Sequence, residues 1–251
     1  MVDNNINVVK LTNSIFIIQN LFPFEDCDKF VRDIFFTEND KITHGRQQNV
    51  EGYEIKLDIY HNPQMESKNR ELIYLLNNIL IENVIPKMIT ILKEVNKNIY
   101  LSVDNVASQG LVMRKITGNT RYHVDQIGGS FGSRLLSIII ALNENYDDGI
   151  ITFPDQGIDI KLKKSEILVF PPYWTHPHKV SCPQKNDRYT ITFWLVNNSN
   201  CKNKEDEHDT DSVCDSIYSE GDSISIFSDS DEWSVGTDNR DIASDFIRKT
   251  I

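Results

Sequence analysis

The spacing of apolar positions changes along the chain and divides it into regions. Val8, Val9, Leu11 and the run Ile15-Phe16-Ile17-Ile18 predict strand structure over 6–20. Pro23-Phe24-Glu25-Asp26 then opens a helix, because proline and acidic residues suit a first turn. Cys27, Phe30, Val31, Ile34 and Phe35 follow at helical spacing and form its apolar stripe. Residues 37–68 are polar and irregular, with a strand read at 53–60. His44 and His61 fall here without ligand spacing and are read as exposed or structural. The longest helical pattern covers 68–95: Leu72, Leu75, Leu76, Ile79 and Leu80 make one face, and Pro86 kinks or splits the helix.

From Tyr100 onward the pattern is that of strands. Runs at 101–106 and 111–116 precede a turn at Gly118-Asn119, and 121–125 is the next strand. Gly128, Gly129 and Gly132 make a flexible connection to 134–142, a nearly continuous apolar run of the kind buried on both faces. An Asn- and Asp-rich turn at 145–149 leads to further strands at 158–162 and 167–170, and another starts at Arg188. Many short strands at this spacing indicate a mainly β core, with the N-terminal helices bracing one of its sheets.

At 251 residues, 39% hydrophobic and 10% aromatic, the chain is long enough for one well-buried domain. No run is read as approaching a membrane helix, and the N-terminus lacks a charged-then-apolar layout, so a soluble, intracellular protein is the expectation. Cys27, Cys182, Cys201 and Cys214 are scattered and are read as reduced thiols. The net charge of −11 is uneven: from residue 201 onward there are 14 acidic and 5 basic residues, so the preceding 200 carry only −2. A nearly neutral body argues against a broad nucleic-acid surface. Residues 198–251, rich in Asp, Glu and Ser, are expected to be a disordered acidic tail suited to a basic partner. The domain is therefore drawn at 1–197, with 1–99 as support and 100–197 as core.

The candidate chemistry lies in that core. On a strand, His123 and Asp125 point to the same face, so an imidazole and a carboxylate can aim at one point. A second imidazole is offered by Trp174-Thr175-His176-Pro177-His178. Two histidines and one carboxylate bind non-haem Fe(II) and leave open positions. Arg188 adds a planar, permanently charged fork suited to a carboxylate. The acids Asp147, Asp148, Asp155 and Asp159 lack the glycine and terminal-acid spacing of a calcium loop and are read as solvated turns. Packing is the role read for Trp174 and Trp194.

The order of these pieces resembles the iron and 2-oxoglutarate-dependent dioxygenase superfamily, in its prolyl 4-hydroxylase-like branch. The residues that carry the resemblance are His123 and Asp125, Leu142-Asn143, Gly149 with Phe153-Pro154, Phe170-Pro171, His178, and Arg188 ten positions on. It covers about residues 100–197. Its pattern places the metal ligand second in Trp-Thr-His-x-His, which favours His178 over His176. The sequence departs from the pattern at Asp148-Gly149-Ile150-Ile151, at Ser165 where a glycine is expected, and at Arg121-Tyr122.

The resemblance implies a double-stranded β-helix, or jelly-roll, core. It implies Fe(II) held by His123, Asp125 and His178, with 2-oxoglutarate and O2 as co-substrates and ascorbate as an accessory reductant. Arg188 would pair with the far carboxylate of 2-oxoglutarate, and Thr190, on the same strand face, would add a hydrogen bond. His176, Tyr122 and Trp194 would stand behind the ligands or face the substrate. The implied activity is hydroxylation of a protein or peptide side chain, proline first, with release of succinate and CO2. The alternatives are a non-catalytic jelly-roll binding module, or the same chemistry on a small metabolite or a nucleic-acid base.

Overall fold

The structure, a computed structural model, describes residues 6–35, 43–44, 52–56, 70–97, 99, 101–102, 105–126 and 134–197. Every described residue lies in one compact unit. The reading of 198–251 as a tail, His61, and the glycines at 128, 129 and 132 lie outside the described residues.

The N-terminal strands are β1 (Asn7–Lys10) and β2 (Phe16–Gln19). Helix α1 (Asp26–Phe30) continues into a π-helical turn, Val31–Phe35. Two short strands follow, β3 (Thr43–His44) and β4 (Gly52–Lys56). Helices α2 (Arg70–Asn78) and α3 (Ile85–Val95) are joined by a π-helical stretch, Ile79–Val84. Pro86 sits in the first turn of α3, where its missing N–H costs least, and the π-helical stretch before it takes up the altered hydrogen bonding. The remaining strands are β5 (Val106–Ile116), β6 (Thr120–His123), β7 (Arg134–Ala141), β8 (Asp147–Asp148), β9 (Ile151–Phe153), β10 (Ile158–Ile160), β11 (Ile167–Phe170), β12 (His178–Val180), β13 (Pro183–Gln184) and β14 (Arg188–Asn197).

These strands form a jelly-roll core. A large sheet has the order β1-β2-β11-β7-β14-β5-β4-β3, a smaller one β10-β9-β12-β6, and β8 pairs with β13. All recorded pairings are antiparallel. Alternation along each strand sorts the apolar residues into two cores. Phe16, Ile18, Leu136, Ile138, Ile167, Val169, Ile191 and Phe193 cluster with Phe30, Ile73, Leu76, Leu80, Met88 and Leu92 of the helices. Ile17, Ala141, Leu168 and Phe170, from the other face of the large sheet, cluster with Ile151, Phe153 and Val180 of the small one. β11 is apolar throughout, and β2 and β7 are mostly so, because both of their faces are covered.

Several expectations are corrected. The strand read at 101–106 is shifted: among the described residues, 101, 102 and 105 lie outside any strand and β5 begins at Val106. β5 runs unbroken through Gly110, where two residues face only Phe193 of β14 between the Thr192↔Val112 and Trp194↔Gln109 pairs. This bulge, with Gly110 at φ +64°, looks like a strand break in sequence. The buried face of α2 is Ile73, Leu76 and Asn77, whereas Leu75 is exposed. The run Arg70–Val95 is, by length and composition, long and apolar enough to cross a membrane, contrary to the sequence reading. Here its apolar stripe is spent on the core of the domain. The acids at 147 and 148 also do more than turn: β8 pairs with β13, Asp148 accepts a bond from Ser181 and Asp147 pairs with Lys185.

Candidate metal centre

β6 and β12 pair antiparallel with His178 opposite His123, so their rings lie 4.4 Å apart between centroids. The strand read at 121–125 stops at His123, and Asp125 lies in the bend beyond it. The chain leaves the ladder because the Gln126 N–H bonds the Pro172 carbonyl in the loop before β12. That turn still returns Asp125 to the histidines. Its Oδ1 is 3.6 Å from His123 Nε2 and 4.0 Å from His178 Nε2. The three ligand atoms lie within 4.8 Å of one another, and among the described residues no other group of this kind is found.

The second atoms of these side chains are occupied, which sets the first ones. His123 Nδ1 is 2.7 Å from the Arg121 carbonyl and His178 Nδ1 is 3.2 Å from the His176 carbonyl. A carbonyl only accepts, so each Nδ1 carries the proton and each Nε2 presents its lone pair. Asp125 Oδ2 accepts a 2.6 Å bond from Ser137 Oγ, which leaves Oδ1 toward the histidines. Phe153 and Phe170 pack on His178 at 5.4 and 4.9 Å between ring centroids. Burial drives the His178 imidazole down to about 4, against the opposing pull of Asp125, so it is neutral and able to ligate at ordinary pH. Burial by itself would raise the Asp125 carboxyl, but His178, His123 and Ser137 outweigh it and hold the group below its usual range.

His176 is handled differently. Its Nε2 is 2.8 Å from Ser14 Oγ and its Nδ1 is 2.9 Å from Thr175 Oγ1, so both nitrogens are engaged away from the cluster. Burial lowers its pKa, with Asp155 opposing. Tyr122 lies next to His123 and so on the opposite face of β6, half exposed, with its hydroxyl 3.4 Å from Asp155. Trp194 is buried, whereas Trp174 is 81% exposed, which corrects the packing role read for it.

Along β14, Ile191, Phe193 and Leu195 enter the helix-side core, so Arg188, Thr190, Thr192 and Trp194 face the space between the sheets. Arg188 is 2% exposed. Its Nε and Nη2, and the Thr190 hydroxyl, are buried with no hydrogen-bond partner among the described residues. Burial pulls the Arg188 guanidinium below its usual pKa, and the Tyr146 hydroxyl counters that. Gly149 makes room for this arrangement: a Cβ there would stand 2.8 Å from the Tyr146 ring and 3.5 Å from Arg188 Cδ. A buried cation with two idle donors and an idle hydroxyl beside it suits a carboxylate, and the two-imidazole, one-carboxylate set suits Fe(II). Sequence reading missed Ser137, Arg134 and Tyr146, since a serine, an arginine and a tyrosine on apolar strands and turns carry no spacing signal.

Comparisons with known proteins agree with this geometry. Residues 109–196 match the family model of the 2OG-Fe(II) oxygenase superfamily. Among solved structures, a prolyl hydroxylase from Trichoplax adhaerens, in complex with a hypoxia inducible factor oxygen degradation domain peptide, is similar at 15% identity and a TM-score of 0.55. The match covers 74% of this chain and 84% of that one. The viral collagen prolyl hydroxylase of Paramecium Bursaria Chlorella virus-1, in its 2OG complex, is similar at 14% identity and a TM-score of 0.50, over 73% of this chain and 96% of that one. No curated protein matches the chain in sequence. The chain resembles the 2OG-Fe(II) oxygenase superfamily by the sequence pattern of residues 109–196, and its jelly-roll fold is similar to that of the two prolyl hydroxylases.

Proposed function

We propose that the chain is an Fe(II)- and 2-oxoglutarate-dependent dioxygenase that hydroxylates a protein or peptide side chain, with proline as the first candidate. The observation that carries the reading is Arg188. It is a fully buried guanidinium with unpartnered donors, on a strand that faces the same inter-sheet space as the His123–Asp125–His178 cluster. An unpaired buried charge costs several kcal/mol, so a chain that keeps one has a use for an anion there. A dicarboxylate chelating a metal at one end and pairing with Arg188 at the other fits both features.

His123, Asp125 and His178 would hold the iron, and Arg188, Thr190 and Tyr146 would bind the far carboxylate of 2-oxoglutarate. Iron and 2-oxoglutarate together would supply oxygen activation, with 2-oxoglutarate consumed to succinate and CO2 and one oxygen atom delivered to the substrate. The residues of this chain orient the co-substrate, keep both imidazoles in their ligating tautomer, and exclude water with Phe153, Phe170 and Trp194. The peptide class is supported by the two similar structures, both prolyl hydroxylases and one bound to a peptide.

The test is an anaerobic titration with Fe(II) and 2-oxoglutarate that follows the weak visible charge-transfer band of the chelate. The wild type should develop the band, His178→Ala should lose it, and Arg188→Ala should raise the 2-oxoglutarate concentration needed by about 30-fold or more. A wild-type protein that binds neither ligand would leave only a non-catalytic jelly-roll module. With binding established, succinate release under O2 and ascorbate, measured over proline-containing peptides, small metabolites and nucleic-acid bases, assigns the substrate class.

A further inference from the structure

Asp125 lies outside the β6 ladder, so strand pairing does not set its position. Two contacts on it come from β7. Ser137 takes its Oδ2, and Arg134 Nη1 donates to its backbone carbonyl at 2.6 Å. Arg134 is itself tightly placed. It is 7% exposed, its Nε donates to Gln109 Oε1 at 2.9 Å, and its guanidinium carbon lies 3.6 Å from the centroid of the Trp194 ring. That indole rests on Gly110, at the bulge of β5. A Cβ at Gly110 would stand 2.6 and 2.9 Å from two carbons of the ring, and φ +64° is a conformation glycine adopts without strain.

We propose that Gly110, Trp194 and Arg134 form a positioning stack whose task is to hold Asp125 in its metal-ligating pose. The bulge in β5 lets the indole lie flat over a bare backbone. The indole sets the plane of the guanidinium, and the guanidinium anchors the bend that carries the carboxylate. Only an arginine can perform all three parts at once: a flat face for the indole, Nε for Gln109, and Nη1 for the Asp125 carbonyl. A lysine keeps the charge but has one compact head group and no flat face. The partners come from three different strands, so the stack ties β5, β7 and β14 to the one metal ligand that no strand carries.

This inference rests on the metal-centre reading above, and its test needs no turnover. Co(II) is titrated into the full-length protein and its d–d absorption followed, for wild type, Arg134→Lys, Gly110→Ala and Leu136→Ala. Leu136 lies two residues along β7 on the helix-side core, so Leu136→Ala reports on stability alone. Arg134→Lys and Gly110→Ala should weaken Co(II) binding by about 10- to 100-fold and change the d–d band. Leu136→Ala should lower the Tm of the metal-free protein and leave Co(II) affinity unchanged. Arg134→Lys binding Co(II) as tightly as wild type, with the same band, overturns the stack while the metal centre stands. Equal weakening by Leu136→Ala at a similar Tm also overturns it, because the effect would then be one of stability. Absence of Co(II) binding in the wild type sinks both the stack and the metal-centre reading.

Discussion

Arg188 keeps its charge where nothing among the described residues neutralises it, and the residues around it are shaped to allow that. Gly149 is the clearest case. At φ +62° and with Tyr146 pressed against it, the position excludes a side chain on both conformational and steric grounds. Gly149→Ala should cost about 1–3 kcal/mol of stability and weaken 2-oxoglutarate binding, because the Tyr146 ring and Arg188 must shift. Chemical denaturation with and without 2-oxoglutarate measures both effects, and an unchanged midpoint would show the contact to be slack. Ser165 is the opposite case. It stands where the resembled pattern has glycine, and it adopts φ +67°, in the left-handed region that favours glycine, with its N–H on the Ala141 carbonyl.

At the scale of elements, the run Arg70–Val95 shows how far periodicity can be trusted. The sequence placed Leu72, Leu75, Leu76, Ile79 and Leu80 on the packed face, but Leu75 is exposed and Leu72 and Ile79 pack only at the edge of the buried stripe Ile73, Leu76, Leu80, Val84, Met88 and Leu92. The helix is apolar on more than one side, so the stripe is not unique in sequence, and contact with the sheet selects it. Leu76→Ala should therefore cost about 2–5 kcal/mol, while Leu75→Ser should stay within about 0.5 kcal/mol of wild type. Urea denaturation of the two variants compares them directly; a larger loss from Leu75→Ser would mean the helix is rotated. β5 carries the same lesson. Gly110 divides its apolar pattern and reads as a loop, because a bulge and a break look alike until the partner strand is known.

At the scale of the whole molecule, burial sets the chemistry of groups that take no part in the site. Cys27 is completely buried, and burial pushes its thiol up to about 12, with Lys164 opposing. The folded state therefore keeps the thiol neutral where the unfolded chain, near 9, ionises it. Above pH 9 the unfolded state sheds a proton that the folded state retains, so stability falls as pH rises toward 12, by up to about 1.4 kcal/mol per pH unit. Cys27→Ala removes this loss, and its stability deficit relative to wild type should narrow between pH 9 and 11. A deficit that stays constant over that range would show the thiol ionising freely in the fold. At neutral pH the wild-type thiol should also resist alkylation until the protein is unfolded.

Much of the candidate site could be read from the chain because its parts are local patterns. The histidines of the 174–178 segment, Arg188 and the period-2 placement of Thr190 are statements about spacing that survive folding, whereas Asp125 joins His123 through a bend and not through strand alternation. The mainly β core was legible for the same reason, since a strand covered on both faces is apolar at most of its positions. What only the tertiary structure decided is everything that depends on which strand lies beside which. The His123–His178 pairing, the contact of His176 Nε2 with Ser14 and the stack of Gly110, Trp194 and Arg134 each join residues far apart in sequence. No local preference encodes such contacts, because each is set by the packing of elements whose own sequences are satisfied by more than one neighbour.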